Sequence, residues 1–196
     1  MNKSITQFIF VVAIIIMLMM VHVTTYSQVI NISKPQYHTT YNLQTSCPQQ
    51  VTWLLRSTDL GSCKRNPSWR FAPLVHHDLA IAKHDDLRRS GYHRGHLCPA
   101  ADRSNNATDM KATFWMGNVA PQVPALNTGI WKQTEEWCRN AAIMYDSVNV
   151  IVVPIFLQRD TIHVGQNALS VPHAFFKAVW LAKNDSVINS WFIFNK

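Results

Sequence analysis

Tyr92-His93-Arg94-Gly95-His96-Leu97 sets two imidazoles around an arginine and a glycine, directly after the charged turn Asp85-Asp86-Leu87-Arg88-Arg89-Ser90-Gly91. The segment fits a short strand or hairpin edge, and Pro99 ends regular structure. On a strand, Arg94 and His96 share one face and His93 points the other way. Gly95 between them permits a close backbone approach. An imidazole titrates near neutrality and suits a general base, whereas a guanidinium stays charged and forks onto a phosphate. Phosphodiester cleavage needs both: an activated water and stabilised charge on the phosphoryl group. Taken alone, the segment fits a surface His-Arg cluster at a strand end equally well.

Outward from it, the chain reads as α+β with sheet dominant in the second half. Gln36 to Gln44 alternates weakly, and Val51-Thr52-Trp53-Leu54-Leu55 is a better strand. Lys64 to Pro73 reads as a loop anchored by Trp69 and Phe71. His76, His77 and His84 read as surface or capping histidines. Asp109 is expected to cap a short helix over Met110 to Phe114. Asn127 to Met144 is expected as one helix, capped by Asn127 or Thr128, with Trp131, Trp137, Cys138, Ala141 and Ala142 on its apolar face. Val148 to Phe156 is a β-branched run expected to be a buried central strand, with Pro154 near its end. Asp160 to Ala168 reads as a turn region. Ala174 to Leu181 and Val187 to Phe194 read as two strands joined around Asn184-Asp185.

The 196-residue chain carries Lys3 near its start and then an apolar run from Phe8 to Val23, shorter than the ~20 residues a spanning helix prefers. Residues 1–27 are therefore expected to be a signal peptide or a membrane anchor through residues 8–23. The product would then be exported, periplasmic or secreted, with transient membrane contact through this segment. Residues 28–196 suffice for one core, and no repeat or linker divides them. The formal charge of +7, with Glu135 and Glu136 the only glutamates, favours a polyanionic partner without proving one. Cys47, Cys63, Cys98 and Cys138 lack CxxC spacing, which weakens zinc-ribbon and redox readings. In an exported chain they suggest disulfides, with Cys47–Cys63 and Cys98–Cys138 the favoured pairing of three and roughly 3 kcal/mol expected from the shorter loop. The sequence shows no P-loop or Gly-x-Ser-x-Gly elbow.

Asn127 and Glu135 extend the chemistry. A hard divalent ion takes oxygen ligands and keeps waters, so Asn127 suits a direct ligand and Glu135 suits holding a metal-bound water. An N-cap role fits Asn127 as well, and Trp131 reads as core. Tyr92–Leu97, Pro99-Ala100-Ala101-Asp102-Arg103, Asn118-Val119-Ala120-Pro121-Gln122 and Leu126-Asn127-Thr128-Gly129-Ile130-Trp131 through Glu135 closely resemble, in order and separation, the DNA/RNA non-specific endonucleases of the ββα-metal superfamily. The resemblance runs from about Tyr41 through Phe194. It implies a ββα-metal nuclease fold with a central, mainly antiparallel sheet and a metal-site helix. It implies a single Mg²⁺-type site, with His96 as general base, Asn127 as metal ligand and Glu135 orienting waters. Arg94 and Asn118 would support phosphate binding and catalytic geometry. The substrates it implies are DNA and RNA, cut with little sequence preference to leave 5′-phosphate ends. Arg103 is a further phosphate contact from charge and position alone, and Lys177 reads as a solvated lysine. The chain departs from the family at His93, where an Asp is usual, and at Val153, where Gly is common. His93 brings no negative charge, so Mn²⁺ or another divalent ion competes with Mg²⁺. An inactive nuclease-like binding protein and a phosphodiesterase for small substrates are the alternatives.

Overall fold

The structure, a computed structural model, describes residues 29–157 and 161–196. The expected leader and Asp160, at the start of the expected turn region, lie outside the described residues. Strands β1 (Val29–Ser33), β2 (His38–Asn42) and β3 (Cys47–Arg56) form an antiparallel meander. A small hairpin follows, β4 (Leu74–His76) with β5 (Leu79–Ala82). Strand β6 (His93–His96) pairs with β7 (Val119–Gln122), and helix α1 (Ala107–Ala112) lies in the connection. Helices α2 (Pro124–Thr128) and α3 (Ile130–Tyr145) lead into β8 (Ser147–Ile155). The short pair β9 (His163–Val164) and β10 (Leu169–Ser170) precedes the hairpin β11 (Ala174–Leu181) and β12 (Val187–Phe194).

The main sheet has the order β1-β2-β3-β8-β11-β12, with every neighbouring pair antiparallel. This is the expected α+β class. Strand β8 buries Val148, Val150, Val152 and Pro154 along one face, the period-2 pattern of a central strand. Pro154 is tolerated one residue from the strand end. Helix α3 packs on β8 and β3 through Trp131, Cys138, Ala141 and Ala142, against Leu55, Val150 and Phe175. A second core cluster gathers Tyr41, Phe71, Leu74, Leu87, Met110, Phe114 and Leu169.

Three local expectations are corrected. The cap of α1 is Asn106, whose side chain accepts from Asp109 N at 2.8 Å, so Asp109 is the third helical residue. The helix expected from Asn127 to Met144 is broken at Gly129, whose φ −98°, ψ −114° is not helical. A Cβ there would sit 2.5 Å from the Ala125 carbonyl oxygen, so only glycine fits. Asn127 thus lies in the last turn of α2, which ends at Thr128, and does not cap α3. The four cysteines are free thiols, overturning the expected disulfides. Cys47 lies in the core with Sγ 4.0 Å from Val119 O, while Cys63 sits half-exposed in a loop beside Lys64 O. Bridging needs opposed Cβ atoms, which sequence spacing does not report. Burial pushes the Cys138 thiol up to about 12 and raises Cys47 and Cys98 as well, which keeps these thiols protonated and inert.

Candidate active site

The β6–β7 pair and the helices after it converge on one cleft of about 450 Å³. Arg94 and His96 enter from β6, Asn127 from α2, Glu135 from α3, and Arg65 from the loop before β4. Lys132 and Arg139 complete its basic wall.

The alternation of β6 points Arg94 and His96 into the cleft together. Gly95 between them backs onto β7, where a Cβ would overlap the Gln122 side chain. Gln122 is fully buried, and among the described residues its amide atoms have no hydrogen-bond partner. Arg94 donates from Nε to His84 O at 2.7 Å, and among the described residues its Nη groups make no hydrogen bond. His84 is held in turn by Phe71 N–H on its Nδ1 at 3.2 Å. One capping-type histidine therefore aims the guanidinium.

The His96 ring packs 4.8 Å from both Phe71 and Phe114. Among the described residues its Nε2 is enclosed without a hydrogen-bond partner, and the ring lines the cleft. Burial, reinforced by the Arg65 charge, lowers its pKa to about 3. The imidazole is therefore neutral at pH 7 and holds a free lone pair. Its backbone is tied down too. Trp131 Nε1 donates to His96 O at 3.3 Å, and the next residue, Leu97, donates from N to Asn118 O at 3.0 Å.

Asn118 is fully buried and outside the cleft. Its carboxamide accepts from Cys98 N at 2.8 Å and donates to Cys98 O at 2.9 Å and Thr113 O at 3.1 Å. It clips the chain that follows His96 and does not line the cleft. Asn127 donates from Nδ2 to His93 Nδ1 at 3.1 Å, which requires that ring nitrogen as acceptor. Its Oδ1 has no hydrogen-bond partner among the described residues, and Asn127 lines the cleft. Glu135, expected on the same helix as Asn127, stands on the next one, yet both reach the cleft. Burial raises its carboxyl to about 7; the nearby Lys177 and Arg139 charges pull it down, while Asp102 adds to the rise.

Two side chains sit elsewhere than their charge suggested. Arg103 is 5% exposed, and its guanidinium is spent on Asp59 Oδ2, Asp102 O, Leu54 O and Gln36 O. It is a structural arginine outside the cleft, which corrects its reading as a phosphate contact. Lys177, read as solvated, is 1% exposed. Conversely, sequence reasoning missed Arg65. Its guanidinium stacks 4.7 Å over Phe114, but its loop carries no motif that would have marked it.

Two antiparallel strands followed by helices, with a histidine on the first and an amide and a carboxylate on the helices, have the ββα-metal architecture. A family model described as DNA/RNA non-specific endonuclease matches residues 17–196, and the chain belongs to that family. Human mitochondrial endonuclease G is 38% identical over 114 residues, covering 54% of this chain and 38% of that protein. A nuclease of Nostoc sp. is 31% identical over 121 residues, covering 62% and 44%. The mitochondrial nuclease 1 of Schizosaccharomyces pombe is 30% identical over 169 residues, covering 79% and 52%. The chain thus spans about half the length of these relatives or less. A crystal structure of an EndoG/EndoGI complex superposes with a TM-score of 0.74 at 24% identity, over 85% of this chain and 74% of that one, which supports the fold.

These relatives correct the expectation of export. Those from human, cattle and two yeasts are named as mitochondrial nucleases, which are not secreted or periplasmic proteins. A basic start followed by an apolar run does not by itself distinguish one targeting route from another. No helix among the described residues is long and apolar enough to cross a membrane.

Proposed function

We propose that residues 28–196 form one metal-dependent endonuclease domain hydrolysing phosphodiester bonds in DNA and RNA with little sequence preference. The observation that carries this reading is the convergence of His96, Arg94, Asn127 and Glu135 on one basic cleft. The donor set fits a hard divalent ion that keeps most of its waters: a free amide oxygen on Asn127 and a carboxylate on Glu135. Asn127 would bind such an ion directly, and Glu135 would orient its waters. When bound, the ion supplies charge stabilisation at the phosphoryl and leaving oxygens. Mg²⁺ is the leading choice, with Mn²⁺ kept in play by the neutral His93.

The chain's own residues do the rest. Arg94, aimed by His84 O, and Arg65 present guanidinium groups to the non-bridging phosphate oxygens. His96 takes a proton from the attacking water. The water oxygen bonds to phosphorus and the P–O3′ bond breaks, leaving a 5′-phosphate and a 3′-hydroxyl that takes its proton from solvent. Asn118 holds the backbone behind the base and touches no substrate.

Plasmid DNA and RNA are the test substrates, with EDTA, Mg²⁺ and Mn²⁺ as conditions. Cleavage should require the ion, and His96→Ala should lose roughly 10²–10⁴-fold while its circular dichroism stays that of the wild type. Wild-type activity in a folded His96→Ala protein would refute His96 as the base. Salt-sensitive DNA binding without cleavage in either ion would refute the enzymatic reading altogether.

A further inference from the structure

Lys177 lies on β11 beneath α3, 1% exposed. Its Nζ donates to Thr134 Oγ1 at 2.8 Å and sits 3.8 Å from the centre of the Trp131 ring. Among the described residues no carboxylate lies within ion-pairing distance of it. Glu135, Asp102, Cys138 and Arg139 are its charged or titratable surroundings. Taking an ammonium out of water costs several kcal/mol, and one charge-assisted hydrogen bond plus one aromatic face return roughly 2–5. A methionine of similar length would serve the core better. The lysine therefore needs a reason other than stability.

The geometry supplies one. Thr134 Oγ1, which accepts from Lys177, donates to Trp131 O at 2.8 Å. Lys177 thus grips Trp131 twice, through the backbone of α3 and through the indole face. Phe175 packs near the same ring at 5.1 Å. The Trp131 N–H then reaches forward to His96 O at 3.3 Å. A cation over an indole draws electron density from the ring and makes its N–H a stronger donor.

We propose that Lys177 is a positioning residue for His96, acting through Trp131: from behind α3 its ammonium fixes the indole whose N–H pins the His96 carbonyl. The proposal rests on the role given to His96 above.

The test is a double-mutant cycle of Lys177→Met and Trp131→Phe, the latter keeping a ring and removing the N–H. Lys177→Met should lower kcat about tenfold, the equivalent of ~1.4 kcal/mol, with KM within about twofold. In the Trp131→Phe background it should have no further effect, because the shared N–H is already gone. In metal-free protein, the ¹⁵N-labelled Trp131 indole, assigned by its loss in Trp131→Phe, should exchange its proton about tenfold faster in Lys177→Met. An unchanged indole exchange rate, or kcat losses that simply add, would overturn the proposal. If Lys177→Met does not fold, Thr134→Val removes only the hydroxyl anchor. It should move the same resonance in the same direction, and no movement overturns the proposal. A wild type that cuts no nucleic acid would defeat the proposed function, while the indole exchange would still decide the coupling.

Discussion

Replacing Glu135 by Gln should stabilise the metal-free protein at alkaline pH and leave it unchanged at pH 4. Burial raises the Glu135 carboxyl from its ordinary 4.5 to about 7. The folded state therefore holds this proton more tightly than the unfolded chain does. Below pH 4.5 the group is protonated in both states and costs nothing. Between 4.5 and about 7 the unfolded chain ionises first, so stability falls as pH rises, and above 7 the loss is constant. A shift of that size corresponds to about 3 kcal/mol at most, and water entering the cleft reduces it. His96 works in the opposite sense. Its pKa is lowered from 6.5 to about 3, so its contribution is present above 6.5 and lost as pH falls toward 3. The two partly cancel between pH 4.5 and 6.5, and only a difference between wild type and Glu135→Gln isolates the glutamate. Urea unfolding in EDTA from pH 4 to 9 measures it. The gap should open through pH 5–7, reach roughly 1–3 kcal/mol, and shrink when Mg²⁺ is added, since a cation favours the carboxylate. An equal gap at pH 4 and pH 8.5, or a less stable Glu135→Gln at pH 8.5, would refute the burial argument.

Gly95→Ala pushes a methyl into the buried Gln122 side chain and should cost about 1–3 kcal/mol in urea unfolding. Adding Gln122→Ala should recover part of that loss. Asn118→Val strips the Cys98 N–H of its acceptor inside the core and should cost about 3 kcal/mol, with a melting temperature lowered accordingly. His93→Asp sets a carboxylate beside the Asn127 amide. Calorimetric titration should show Mg²⁺ affinity rising about tenfold, and equal affinity for wild type and variant would discard any role of this position in metal choice.

Sequence logic succeeded where a periodic pattern decides burial. The β11–β12 hairpin and the β8 strand follow from β-branched alternation and the Asn184-Asp185 turn, and the His-Arg-Gly-His alternation puts Arg94 and His96 on one face. The same logic, applied strictly, would have buried Lys177, since it shares a face with Phe175 and Val179. A lysine's charge points to solvent, but its position on the strand decides its burial. At Gly129 a helix-breaking residue was legible, but the apolar spacing through Trp131 masked it. Arg103 was not legible at all. What hides it are the carbonyls of Gln36 and Leu54, which only the tertiary fold brings to its side. Arg65 lay beyond reach for the same reason, being carried to the cleft by a loop.

On the role proposed for His96, the placement of Arg65 would make the base responsive to a bound phosphate. His96 is depressed first by burial and then by the Arg65 charge. A phosphate bound to Arg65 offsets that second cause, so the imidazole gains basicity when the phosphodiester is in place. In the free protein the base is neutral and weak, and the exposed positive charge of Arg65 and Arg94 draws a polyanion in. The acid limb of kcat/KM reports the free enzyme, and that of kcat reports the complex. The kcat limb should therefore lie at higher pH than the kcat/KM limb. Arg65→Ala should raise the kcat/KM limb and narrow the separation, because the charge that substrate would offset is gone. Coincident limbs in the wild type, or a separation that survives Arg65→Ala intact, would show that burial alone sets the base.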